Sequence, residues 1–245
     1  MELKRRIDIE LLLVFGLSLG KSAVYSILAL IAALTAEQGL GGTSTTINRS
    51  EAAQQWLDFG YQFVGNIFPL VPVALVLFLL GVGALQRIGV VRDKLVRQLW
   101  LGFGLAAAIG IPGLGLYLGA RAIGAAAKVV ATDVIEYWWT LPMLLLSAIG
   151  ASLLEEVIMI GYLFTRLRAR GMNEHKIIWL SAIIRGSYHL YQGFGGFLGN
   201  MIMGLLFGYI YKRTGKLVPL LFAHFLLDAA IFVGYAWAAT WLPLN

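Results

Sequence analysis

The chain has 245 residues, of which 59% are hydrophobic and only 13% are charged, and it contains no cysteine. This composition excludes a soluble globular domain and predicts an all-α polytopic membrane protein; the lack of cysteine excludes disulfides and a thiol nucleophile. The formal net charge is +6, but the cations cluster in short connections between apolar segments. That pattern indicates membrane topology and no nucleic-acid partner.

Apolar segments follow one another along the chain, and a helix needs about 20 such residues to cross the hydrocarbon core. The sequence predicts about seven transmembrane helices, with a range of six to eight. They cover residues 11–35, 59–85, 99–120, 137–165, 177–192, 197–211 and 217–241. The first is interpreted as a retained helix, because its apolar run is about twice the length of a signal-peptide core.

The connections between these segments carry their own signals. Residues 36–58 form a polar outer loop with a short amphipathic helix predicted near 52–59. Several helix-disfavouring residues predict a break or kink in the third segment: Gly110, Pro112, Gly113 and Gly115. Four glycines separate the short fifth and sixth segments: Gly193, Gly195, Gly196 and Gly199. Because irregular backbone is tolerated at membrane depth only where protein or a cavity covers it, this pair is expected to line an internal cavity.

The lysines and arginines predict the orientation of the chain. If every segment crosses the membrane, the cations of 4–6, 87–97, 166–176 and 212–216 share one side. The other side keeps Arg49, Arg121 and Lys128. Since the cation-rich side is cytoplasmic, we predict a plasma-membrane protein with a cytoplasmic N-terminus and an external C-terminus.

Two adjacent acids, Glu155 and Glu156, interrupt the apolar run 141–164. A carboxylate at bilayer depth is costly unless it is paired, so it indicates a functional site. A helix rise of about 1.5 Å per residue places Glu155 about 16 Å, His189 about 18 Å and His224 about 12 Å from the cation-rich boundary. Three different segments therefore bring ionisable groups to a similar depth.

The spacing of these residues suggests activation of a water molecule. His224 and Asp228 are four residues apart and share a helix face, as do Arg185 and His189. A buried carboxylate is a suitable general base, a histidine can share its proton, and a second histidine can stabilise an oxyanion. The sequence offers neither a serine in a glycine elbow nor an HExxH motif.

The order of these motifs resembles the CAAX-protease and bacteriocin-processing (CPBP, or Abi) family of intramembrane endopeptidases. That family carries E-E-x-x-x-R, F-x-x-x-H and H-x-x-x-(N/D) on separate transmembrane helices. Glu155 and Glu156 match the first motif, His189 the second, and His224 with Asp228 the third. We therefore predict about three N-terminal membrane helices in residues 1–136 and a catalytic helical core in 137–245.

The resemblance implies a role for each of these residues. Glu155 and His189 would activate the hydrolytic water, and His224 with Asp228 would hold the oxyanion or the water. Glu156 would support them.

Cofactor and substrate follow from the same resemblance. Members are often labelled metalloproteases, and a zinc ion would take Glu155, His189, His224 and Asp228 as ligands, although the same residues also work without a metal. The substrate would be a membrane-embedded or lipid-anchored peptide or protein, since relatives trim prenylated proteins, peptides and leaders. Asn200 is a further supporting candidate, interpreted as a cap of the helix that follows the glycines.

The chain departs from the family pattern at two positions. The family arginine is replaced by Ile160, and the phenylalanine of the second motif by Arg185. We interpret this as a linked exchange, in which Arg185 supplies from a neighbouring helix the charge that is missing at position 160.

Two other functions are open. The same helices could form a non-proteolytic membrane protein, such as an immunity factor or a scaffold, in which the Glu–Arg and His–Asp pairs are structural. Buried Glu, His, Asp and Arg also form the proton relays of transporters, although no inverted repeat supports transport.

Overall fold

The computed structural model describes residues 2–134 and 136–239, with side chains up to residue 234. Its helices are α1 (Glu2–Leu17), α2 (Leu19–Thr35), α3 (Gly39–Gly42), α4 (Gln55–Ile67), α5 (Leu70–Leu80), α6 (Ala84–Arg87), α7 (Leu95–Ala122), α8 (Thr140–Glu155), α9 (Leu163–Ala169), α10 (Glu174–Ser187), α11 (Phe194–Thr214) and α12 (Val218–Ala239). A π-helix, Glu156–Tyr162, joins α8 to α9, and a 3-10 turn, Leu190–Gln192, lies between α10 and α11. The predicted all-α membrane fold is confirmed.

Within the described residues, four helical stretches are long and apolar enough to cross a membrane: Gln55–Leu80, Leu95–Ala122, Thr140–Ala169 and Phe194–Thr214. A bent pair of helices, α1 with α2, raises the number to five. The helix over Val218–Gly234 is apolar but shorter, and α10 has only 14 residues. The chain is therefore an integral membrane protein, while the number of seven spans stays a prediction. The predicted end of the last segment at 241 lies outside the described residues.

The first predicted segment is two helices rather than one. They meet at Ser18 with a bend of 53°. Ser18 leaves the helical region (φ −135°, ψ −119°), and its hydroxyl donates to the carbonyl of Val14 at 2.6 Å. A serine that bonds back to the preceding turn competes with the helical ladder, which explains the bend.

The predicted break in the third segment is wrong. Helix α7 continues for 28 residues with Pro112 inside it. Its glycines let α12 approach closely: a Cβ at Gly102 would lie 2.7 Å from the carbonyl oxygen of Pro219, and one at Gly110 would lie 3.0 Å from Leu227. Packing against α12 therefore outweighs the local cost of the proline.

A small parallel sheet was not predicted. Strand β1 (Ser44–Asn48) pairs with β2 (Lys128–Thr132), which places Ser44 opposite Lys128. The predicted short helix near 52–59 is instead the start of α4. The Asn48 side chain donates to the carbonyl of Ala131 at 3.0 Å and accepts from the Ser147 hydroxyl at 3.0 Å. The sheet is therefore anchored to α8, the helix that carries Glu155.

Helices α10 and α11 form a close hairpin. They are joined through the 3-10 turn and Gly193, whose φ of +92° favours glycine. Gly204 on α11 lies directly against α10, because a Cβ there would come within 2.9 Å of the Cα of Ala182 and 3.3 Å of the Cδ of Arg185. The absence of a side chain at position 204 thus sets the distance between the two helices.

Replacing Gly204 by Ala is expected to force α10 and α11 apart and to destabilise the protein by about 1–3 kcal/mol, the usual cost of overpacking. The matched control is Gly199→Ala on the same helix, where the new Cβ would meet only Leu116, at 3.5 Å. Thermal unfolding in detergent should show a lower midpoint for Gly204→Ala alone. Equal midpoints for the two variants would contradict the close approach.

Candidate active site

The two adjacent glutamates stand at a change of helix type. Glu155 is the last residue of α8, and Glu156 is the first residue of the π-helix. A π-helical segment is rare and is often found at functional sites. The Glu156 side chain is completely buried, whereas 12% of the Glu155 side chain is exposed. The two carboxylates therefore lie in different environments.

Glu156 binds two groups from other helices. Its Oε1 accepts hydrogen bonds from the Arg185 Nη2 of α10 and from the His224 Nδ1 of α12, each at 2.7 Å. Within the described part of the chain, the other oxygen, Oε2, and the Nε of Arg185 are buried without a partner. Glu156 thus joins three helices through a single carboxylate oxygen.

Arg185 lies between the two glutamates. Its Nη1 donates to the Oε2 of Glu155 at 3.2 Å, while its Nη2 donates to the Oε1 of Glu156 at 2.7 Å. The guanidinium is fully buried and lies 5.6 Å from the centre of the Phe207 ring. The pairing proposed from the sequence is therefore present, and Arg185 reaches both carboxylates rather than Glu156 alone. Ile160, at the position of the family arginine, is a fully buried apolar residue.

Glu155 has a second partner that the sequence did not reveal. The hydroxyl of Tyr188 donates to its Oε2 at 2.7 Å. Tyr188 is not among the residues that the sequence motifs single out. Its position offered one signal: a buried phenol needs a hydrogen-bond partner, and this one directly precedes His189.

His189 lies beside this pair. Its Nδ1 is 3.0 Å from the carbonyl oxygen of Arg185. Because a carbonyl only accepts, Nδ1 carries the proton of the neutral ring and Nε2 is the basic nitrogen. The ring lies 4.7 Å from that of Tyr188 and 6.2 Å from that of Tyr191.

His224 faces two acids. Its Nδ1 contacts Glu156, and its Nε2 lies 3.4 Å from the Oδ2 of Asp228, one turn further along α12. The predicted sharing of a helix face by His224 and Asp228 is thus present. The chain of contacts runs from Asp228 through His224, Glu156 and Arg185 to Glu155.

One stretch in the C-terminal half of the chain matches a known family. Residues 137–230 match the family model described as type II CAAX prenyl endopeptidase, Rce1-like. This stretch is similar to that family, and it is called the Rce1-like domain below. It is consistent with the CPBP family and supports a CAAX-type intramembrane endopeptidase in general. No curated protein and no solved structure matches the chain.

Asn200 lies in the Rce1-like domain, but its interpretation as a helix cap is wrong. Helix α11 begins at Phe194, with Gly193 in the capping position. The Asn200 side chain donates to the carbonyl of Gly196 at 3.0 Å, one turn back in the same helix. Gly193 makes no side-chain cap bond at the start of this helix.

The donor atoms of the Rce1-like domain do not fit a zinc site well. Among the described residues, one atom each of Glu155, Glu156 and His224 lie within 4.8 Å of one another. This group differs from the predicted ligand set, because it includes Glu156 and lacks His189 and Asp228. Arg185 already donates to both carboxylates, and a divalent cation between them would repel the guanidinium.

Proposed function

We propose that the Rce1-like domain hydrolyses peptide bonds with a water molecule activated by Glu155 and His189. One observation carries the proposal: Glu155, the more accessible of the two acids, is held by Arg185 and by Tyr188, whose ring packs 4.7 Å from that of His189. A general base must be fixed within reach of the water whose proton it takes.

In the proposed reaction, the Glu155 and His189 pair accepts a proton as the water oxygen bonds to the carbonyl carbon of the scissile peptide. The carbonyl oxygen becomes an oxyanion. The His224 imidazolium, which donates from Nδ1 to Glu156, is a suitable donor to it from Nε2, because the contact of Nε2 with Asp228 is long, at 3.4 Å. Collapse of the tetrahedral intermediate then breaks the C–N bond, and the abstracted proton passes to the leaving amine.

Glu156 and Arg185 have a supporting role in this proposal. The buried guanidinium offsets the charge of both acids, which would otherwise repel each other at close range. Glu156 in turn holds His224 through Nδ1. His224 is therefore oriented from both ring nitrogens before a substrate binds.

We further propose that the substrate is a membrane-embedded or lipid-anchored peptide or protein and that the site opens toward the cytoplasm of the cell. The apolar surroundings of the acids and the presence of an Rce1-like domain support the first part. The cation-rich connections support the second.

The reaction is expected to proceed without a metal, since Arg185 occupies the carboxylates that zinc would need. Peptide cleavage by the purified protein should therefore persist after extensive dialysis against EDTA. Product formation can be followed by mass spectrometry, with Glu155→Gln as the inactive control. Loss of activity on chelation, followed by its return with added zinc, would contradict a metal-free mechanism.

A further inference from the structure

Tyr188 contacts both groups that are proposed to activate water. Its hydroxyl donates to the Oε2 of Glu155 at 2.7 Å, and its ring packs 4.7 Å from that of His189. The residue follows the last turn of α10 and is 4% exposed. The hydrogen bond from the Tyr188 hydroxyl restricts the orientation of the Glu155 carboxylate.

The backbone of Tyr188 is fixed from outside the Rce1-like domain. The hydroxyl of Ser26, in α2, donates to the carbonyl of Tyr188 at 2.7 Å. Ser26 is 5% exposed, so the bond lies inside the protein, where a lost partner is costly. Residue 26 precedes the matched stretch 137–230 by more than a hundred positions.

We propose that Tyr188 is a positioning residue that orients Glu155 toward the water, and that Ser26 positions Tyr188. This inference rests on the proposed function. The Oε2 of Glu155 has two partners, Tyr188 at 2.7 Å and Arg185 at 3.2 Å. Without the phenol, the carboxylate is free to turn toward the guanidinium and away from His189. The N-terminal helices would thus complete a site whose acids and histidines all lie in the Rce1-like domain.

The first test is Tyr188→Phe, which keeps the ring and removes the hydroxyl. We expect kcat to fall about 10- to 100-fold while KM stays unchanged, because misplacing a catalytic group affects the chemical step rather than substrate binding. The matched control is Tyr191→Phe, since the Tyr191 hydroxyl accepts from Gln192 at 2.9 Å. Wild-type kcat in Tyr188→Phe would overturn the proposal for Tyr188.

The second test addresses Ser26. Ser26→Ala is expected to lower kcat in the same way, and Ser26→Thr, which keeps a hydroxyl, is expected to restore at least half of the lost activity. A purely structural contribution of α2 would instead lower the unfolding midpoint of Ser26→Ala without changing the kcat of the folded fraction. That result would overturn the role of Ser26.

A thermodynamic cycle tests the contact without any need for cleavage. Thermal unfolding midpoints are measured for wild type, Tyr188→Phe, Glu155→Ala and the double variant. We expect the double variant to lose less than the sum of the single shifts, because both changes remove the same bond. Additive shifts would overturn the positioning contact. If the wild type cleaves peptides but the midpoint shifts are additive, the positioning role of Tyr188 is wrong and the proposed function stands. If the midpoint shifts are coupled but the wild type cleaves no peptide, the proposed function is wrong and the contact between Tyr188 and Glu155 stands.

Discussion

Glu155→Gln is expected to lower the rate of peptide hydrolysis by about 10²- to 10⁴-fold, the usual contribution of a general base. The amide keeps the shape of the carboxylate, and its oxygen can still accept from Arg185 and Tyr188. It cannot take a proton from water. Single-turnover cleavage by purified protein measures the effect, and circular dichroism shows whether the helices persist.

The neighbouring acid supplies a matched comparison. Glu156 is fully buried and binds Arg185 and His224 through one oxygen. Glu156→Gln removes the negative charge from this buried pair, so we expect a larger loss of thermal stability than for Glu155→Gln. If Glu156→Gln abolished cleavage without a loss of stability, and Glu155→Gln still cleaved the peptide, then Glu156 would be the general base and Glu155 the supporting acid.

Arg185→Leu is expected to destabilise the protein by about 3–5 kcal/mol, the typical cost of removing one partner from a buried ion pair. Two carboxylates, Glu155 and Glu156, would then lie close together without the buried cation that each now contacts. Detergent-solubilised protein should show a sharply lower unfolding midpoint and little or no peptide cleavage. A folded and active Arg185→Leu variant would show that the guanidinium is dispensable.

The proposed linked exchange between positions 160 and 185 predicts a second result. Ile160→Arg, added to Arg185→Leu, should restore part of the stability and of the activity, because it returns a cation to the family position four residues after Glu156. Ile160→Arg alone is the control, and it should be destabilising, since Ile160 is fully buried beside an intact Arg185. Equal losses in the single and the double variants would remove the idea of an exchange.

The close approach of Glu156 and His224 agrees with the similar depths that regular helix rise predicts for the ionisable groups. The contact between His224 and Asp228 could be predicted because residues four positions apart lie on the same face of a helix. Arg185 could be assigned to the acids because a buried guanidinium needs a carboxylate partner. These predictions depend on local geometry and on charge pairing, and both can be read from neighbouring residues.

Other features depend on contacts between distant parts of the chain. The pairing of β1 with β2 joins residues more than eighty positions apart, and the strands carry small and polar residues without a clear alternation. The π-helix begins at Glu156, yet no residue type marks its position in the sequence. Tyr188 and Ser26 meet across 162 positions, so neither could be predicted as a partner of the site from the sequence.

The central claim is that Glu155 activates a water molecule next to His189. It is tested most directly by cleavage of a membrane-anchored peptide by purified protein in heavy-oxygen water, with wild type compared to Glu155→Gln in proteoliposomes. We expect wild type to incorporate one heavy oxygen atom into each new carboxylate, and Glu155→Gln to form almost no product. Equal product formation by both proteins would contradict the claim.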